Sequence, residues 1–196
     1  MGDPMASVPR RRLDAFLAEA VAPFLRKLGF VRSGRSWRRV RGDAIQVLAV
    51  EGDRWNRGDV CRFCCVGAAW YPAVARRLRE PKTMRPTWWA GHLRWSEPGM
   101  HDLGPDTDRE NLARSVLAEL TRVLRWLDAR TLVDRAWRAM PKPPRYPPPL
   151  AVQNALRELG GRKPLPKPKP ARSRQPQRKL AFQVRSIVAE TARTTP

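Results

Sequence analysis

The sequence predicts an α+β fold: an N-terminal helix, an antiparallel sheet of three to four strands, C-terminal helices packed on one face, and then a Pro/Arg/Lys-rich tail. Three observations predict it. Apolar residues recur at steps of three and four near both ends of the first 140 residues, the period drops to two between them, and the composition breaks at residue 140. Residues 141–196 hold 12 of the 20 prolines, none of the eight tryptophans, and 13 Lys and Arg against two acidic residues. The boundaries read from this break are 1–140 for a globular α+β domain and 141–196 for a basic proline-rich tail, largely disordered.

The first helix places Leu13, Phe16, Leu17, Ala20, Phe24 and Leu28 on one face; Pro23 kinks it and Gly29 ends it. Residues 35–41 and 44–50 then alternate around Gly42-Asp43, which marks a hairpin, and residues 61–70 follow a polar turn at Asn56-Arg57-Gly58-Asp59. Residues 88–95 make a fourth candidate strand, with Trp89, Gly91, Leu93 and Trp95 on one face. Thr107-Asp108-Arg109-Glu110 reads as a capping box opened by the Thr107 hydroxyl. The helix it starts carries a stripe of Leu112, Val116, Leu120, Val123, Leu124 and Leu127, with Arg114, Arg122 and Arg125 turned outward or along the edges. A last short helix is expected over residues 131–140. In the tail, Leu165-Pro166-Lys167-Pro168-Lys169-Pro170 can form neither helix nor central strand and reads as polyproline II, while Leu180, Val184, Ile187 and Val188 allow a short helix near 178–190 on a partner.

The chain carries 39 Lys and Arg against 18 Asp and Glu, a net charge of +21. Arginine outnumbers lysine 32 to 7, a choice that the codons of a GC-rich genome explain, but such a bias does not remove acidic residues. The excess favours a polyanionic partner, nucleic acid first and an acidic protein second. The residues expected to meet phosphates are Lys163, Lys167, Lys169, Arg172, Arg174, Arg178, Lys179 and Arg185 of the tail. The opening segment contains Asp14 and Glu19 and lacks the apolar core of a secretory signal, and no apolar run is long enough to span a membrane. Three cysteines, an odd number, fit reduced thiols in the cytoplasm.

"CRFCCVGAAW", residues 61–70, holds all three cysteines. A zinc knuckle needs its sulfurs about 2.3 Å from one ion. In an extended segment Cys61 and Cys64 point to opposite faces, and Cys61 and Cys65 stand roughly 13 Å apart at about 3.3 Å per residue. The expected role of these thiols is therefore structural, with Phe63, Cys65 and Gly67 on the core face. Three further readings stand beside it. Cys64 or Cys65 pairs with His92 as a nucleophile. Asp43, Glu51 and Asp53 bracket one strand as the acidic ligands of a metal-dependent nuclease, although Asp53 occupies the place where such nucleases usually carry lysine. Trp37-Arg38-Arg39 and Arg94-Trp95 stack bases beside phosphates, against the expectation that at least five tryptophans fill the core. No catalytic residue, metal ligand or cofactor is assigned from the sequence.

The succession of a Leu-rich helix ending in Gly29-Phe30, then "GRSWRRVRGDAIQVLAV", "RFCCVGAAWYP", "GHLRW" and a closing Leu-rich helix resembles the bacterial domain-of-unknown-function family 4304 over roughly residues 10–140. The resemblance implies the same α+β order and carries no functional residue. The expectation is a non-catalytic, cytoplasmic bacterial binding protein whose basic arm contacts nucleic acid non-specifically. Its alternatives are a protein-interaction or immunity-like accessory module and the metal-dependent nuclease.

Overall fold

A computed structural model describes residues 8–52, 59–95, 98–138 and 148–166. Helix α1 (Val8–Phe16) passes into a wide π turn, Leu17–Val21, and then into α2 (Ala22–Lys27). Pro23 lacks the N–H that would bond back to Glu19, and its ring crowds that carbonyl. The ladder widens just before it: the Ala22 N–H reaches back five residues to the Leu17 carbonyl. The wide turn shifts the helical phase, so Val21 and Leu25 become fully buried while Leu28, expected inside, is exposed. Gly29 then ends the helix at φ +80°, a backbone region open to glycine.

Among the described residues the sheet has six strands rather than three or four: β1 (Val31–Ser33), β2 (Ser36–Arg41), β3 (Ala44–Gly52), β4 (Cys61–Trp70), β5 (Leu93–Arg94) and β6 (Met100–Leu103). All pairings are antiparallel, in the order β1-β2-β3-β4-β5, and β6 lies on β4 beside β5. The ten residues of β4 give its outer edge room for two partners: Ala68 and Ala69 face β5, and Cys61 to Cys64 face β6. The strand expected over 88–95 shrinks to β5 because the Thr87 hydroxyl accepts the Ala90 N–H and holds residues 87–90 in a turn.

One face of the sheet is the core face. Trp37, Leu48, Val50, Phe63, Cys65, Ala69, Leu93 and Leu103 are buried there, under α1, the π turn and helix α4 (Arg109–Asp128). Gly67 lets α4 come close, since a Cβ at that position would overlap a methyl of Val123. The cap of α4 is one residue later than the sequence suggests. Asp108 accepts the N–H groups of Glu110 and Asn111 at 3.1 and 3.0 Å, whereas the Thr107 hydroxyl turns back to Gly104. A carboxylate at this position also complements the positive end of the helix, which favours it over the neighbouring hydroxyl.

The last expected helix is observed as α5 (Val133–Arg138), docked on the β2–β3 hairpin. The Asp43 N–H donates to Thr131 O and its carboxylate accepts the Val133 N–H. Gly42 sits at φ +58° with the Thr131 carbonyl where a Cβ would be. One more helix, α6 (Leu150–Leu159), lies in the stretch that composition assigns to the tail. Its Val152, Ala155 and Leu156 are buried in the same core cluster, against α5 and α3 (Pro72–Arg77), and the compact unit runs to Leu165. Asn154 holds both backbone groups of Leu165, through hydrogen bonds of 2.7 and 3.4 Å. The helix expected near 178–190 lies outside the described residues.

Candidate nucleic-acid interface

The sheet face opposite the helices carries Ser36, Arg38, Val47, Ala49, Glu51, Val66, Ala68 and Arg94, and the segment with Arg85, Pro86, Thr87, Trp88 and Gly91 packs against it. That segment brings two consecutive tryptophans to the surface. Trp88 is half-buried and donates its indole N–H to Glu51. Trp89 is 62% exposed, its ring centroid 4.1 Å from that of Trp88 and tilted by 40°. Arg94 completes the group: its guanidinium lies 5.7 Å from the Trp88 ring centroid and donates to the Trp89 carbonyl. One indole is thus anchored, one is presented, and a cation is fixed beside both.

Next to it Arg38 and Arg85 line a pocket of about 130 Å³ together with Ser33, Ser36 and Thr87. Both arginines are exposed, and among the described residues neither pairs with a carboxylate. An exposed aromatic plane next to cations and hydroxyls can stack a base and hold the adjoining phosphate.

The two Trp-Arg stretches marked in the sequence do not make this surface as units. Trp37 is buried on the helix side of the sheet, and Trp95 packs edge-on against Trp126. Arg39 is held by Gln46, Asp128 and the face of Phe30. Only their partners Arg38 and Arg94 reach the patch. Nor do five tryptophans fill the core: of the six with described side chains, Trp37 alone is buried, four are half-buried and Trp89 is exposed. Indoles anchored by one edge or lying at the rim of the helix layer need not be enclosed. Of the tail residues, Lys163 is exposed and its carbonyl accepts from Arg157, while Lys167, Lys169, Arg172, Arg174, Arg178, Lys179 and Arg185 lie outside the described residues.

Two of the three carboxylates stand far apart. Asp43 caps α5 at one end of β3 and Glu51 holds Trp88 at the other, roughly 26 Å away at about 3.3 Å per residue. They cannot share an ion, and Asp53 lies outside the described residues. His92 does not meet a cysteine either. Its Nδ1 accepts the Tyr71 N–H at 3.0 Å, so the ring proton sits on Nε2, which donates to Glu80. The ring stacks with Trp70 and Tyr71, and burial holds its pKa below the usual histidine value, with Glu80 pulling the other way.

A pH dependence follows. The unfolded chain takes up a proton near pH 6.5 that folded His92 declines, so stability falls as pH drops below about 6.5. His92→Gln is expected to flatten this part of the melting-temperature profile; equal slopes for the two proteins would remove His92 as the cause.

Cys61 and Cys65 are buried on the core face and Cys64 is half-buried on the other. Burial and the Glu119 carboxylate raise the Cys65 thiol well above its ordinary pKa, the reverse of what a nucleophile needs. The histidine that does approach Cys65 is His101, on β6. Its Nε2 lies 2.5 Å from Oε2 of Glu119, whose other oxygen accepts the Gly99 N–H at 2.6 Å. The ligand atoms of Cys65, His101 and Glu119 all fall within 4.8 Å of one another.

In a comparison against protein families, residues 21–129 match the model of a domain of unknown function, DUF4304. The chain belongs to the DUF4304 family. No curated protein and no solved structure matches it. The DUF4304 region runs from the end of the π turn to the end of α4. It contains the Trp88–Trp89–Arg94 patch and all three of Cys65, His101 and Glu119. Helices α5 and α6 and the basic tail lie beyond the DUF4304 match.

Proposed function

We propose that this DUF4304 protein is a non-catalytic, cytoplasmic bacterial protein that binds nucleic acid through two surfaces of different character. The observation that carries the reading is Trp89, 62% exposed beside Trp88 with Arg94 fixed against the pair and Arg38 and Arg85 alongside. A large aromatic surface left in water without a partner is costly. A stacked base covers it without regard to sequence. The tail supplies the second surface, with Lys163, Lys167, Lys169, Arg172, Arg174, Arg178, Lys179 and Arg185 following a phosphate backbone by counterion release. Among the described residues no helix is long and apolar enough to cross a membrane.

The test is fluorescence anisotropy with a labelled thymidine oligonucleotide, a duplex of equal length and an acidic peptide. Trp89→Ala is expected to weaken single-strand binding by about 1–3 kcal/mol, roughly 5- to 150-fold, and to leave duplex binding nearly unchanged. Equal affinity of wild type and variant for the single strand would remove the patch from the reading. Binding of the acidic peptide in preference to both nucleic acids would put the protein-interaction alternative in its place.

A further inference from the structure

The geometry points to a zinc site built from Cys65, His101 and Glu119. The three residues come from three elements, β4, β6 and α4, and their ligand atoms lie within 4.8 Å of one another in the core. Zinc bonds of about 2.0–2.3 Å place two ligands of one tetrahedral ion roughly 3.3–3.7 Å apart. Closing the cluster onto an ion therefore asks for movements of about 1 Å, including an opening of the 2.5 Å contact between His101 and Glu119.

Charge argues for the same occupant. A dication bound by one thiolate, one carboxylate and a neutral imidazole leaves the assembly with no net charge, the condition under which ions are tolerated in an apolar interior. Cys65 is wholly buried, Glu119 is 1% exposed, and Phe63 lies 5.4 Å from the His101 ring. The hydrogen bond between His101 and Glu119 satisfies those two residues but leaves the thiol, a weak donor, unused. A borderline-soft cation uses all three donors at once; Mg²⁺ and Ca²⁺ would refuse the sulfur. The surrounding shell is in place as well. The Gly99 N–H holds the second carboxylate oxygen of Glu119, and a Cβ at residue 99 would come within 3.1 Å of that carboxylate, closer than ordinary contact.

On binding, the Zn–S bond forms as the Cys65 S–H bond breaks and its proton leaves to solvent. The imidazole offers the lone pair of one ring nitrogen and carries its proton on the other, and the carboxylate gives one oxygen. A water or other small ligand takes the fourth position.

The experiment titrates the reduced, metal-free full chain with Co²⁺. One equivalent is expected to produce a thiolate-to-cobalt charge-transfer band with the visible bands of a tetrahedral site, and Zn²⁺ is expected to bleach both. Cys65→Ser should abolish the charge-transfer band and Glu119→Gln should weaken binding at least tenfold, whereas Cys61→Ser and Cys64→Ser should leave both measurements unchanged. A folded wild-type chain with no band, a band that survives Cys65→Ser, or one lost in Cys64→Ser overturns the proposal. Zinc-edge X-ray absorption of the loaded wild type needs no variant. One sulfur with nitrogen or oxygen ligands is expected, and zero or two sulfurs overturns the site.

Discussion

Binding of the full chain to duplex DNA is expected to weaken about a thousandfold between 50 and 200 mM salt, if about six phosphates are neutralised. Truncation after Leu165 is expected to flatten that dependence, because it removes eight basic residues and one acidic residue. The cut leaves the packed unit whole, since the compact part of the chain ends at Leu165 and Asn154 still holds that residue. Anisotropy measured at several salt concentrations, for both chains, gives the slopes. The Trp89 patch should survive the cut, so the shortened protein should keep single-strand binding with a shallower salt response. If the two chains share one slope on duplex DNA, the phosphate contacts lie on the folded unit, and Arg38, Arg85 and Arg94 move ahead of the tail.

A chain ending at residue 140 is expected to be far less stable than one ending at 165. Sequence composition suggests that 1–140 folds by itself, but that cut also removes α6. Leu156 is fully buried and Val152 and Ala155 nearly so, all within the core cluster that includes Val74, Val133 and Ala136. Burying a Val or Leu side chain stabilises by about 1.5–3 kcal/mol, so losing both, with re-exposure of their partners, costs about 3–6 kcal/mol. In a chain of this size that lowers the melting temperature by roughly 6–24 °C. The Arg77–Glu158 ion pair, which is largely exposed, adds little. Thermal melts of the two truncated chains decide it. Coincident transitions would show that α6 contributes nothing to the unit and that 1–140 is the domain.

Helix α6 went unrecognised because its ten residues sit between proline-rich runs, so composition over a wide window outweighed a stripe at 152, 155, 156 and 159. Two parts of the sites were missed for different reasons. Trp88 and Trp89 alternate on paper, yet a turn held by the Thr87 hydroxyl brings their rings to 4.1 Å. Glu119, by contrast, left a signal in the sequence. It stands three residues after Val116 and four before Val123, inside the apolar stripe of α4, where a charge requires a buried partner. That partner, His101, lies on a four-residue strand between Gly99 and Gly104, too short for its period to register.

The sequence by itself determined the α+β order, the turns at Gly29 and Gly42, the core face of β4 with Cys65 on it, and a net charge of +21. Each of these rests on local spacing or on a sum over residues, and neither depends on how distant segments meet. Tertiary structure alone decided that β6 lies on the end of β4 that carries the cysteines and that α4 presents Glu119 to that end, bringing a thiol, an imidazole and a carboxylate within 4.8 Å. It also decided which tryptophan stays in water. Periodicity fixes the face a side chain takes, but strand register and helix packing select the residue opposite it, and those follow from the filling of one shared core.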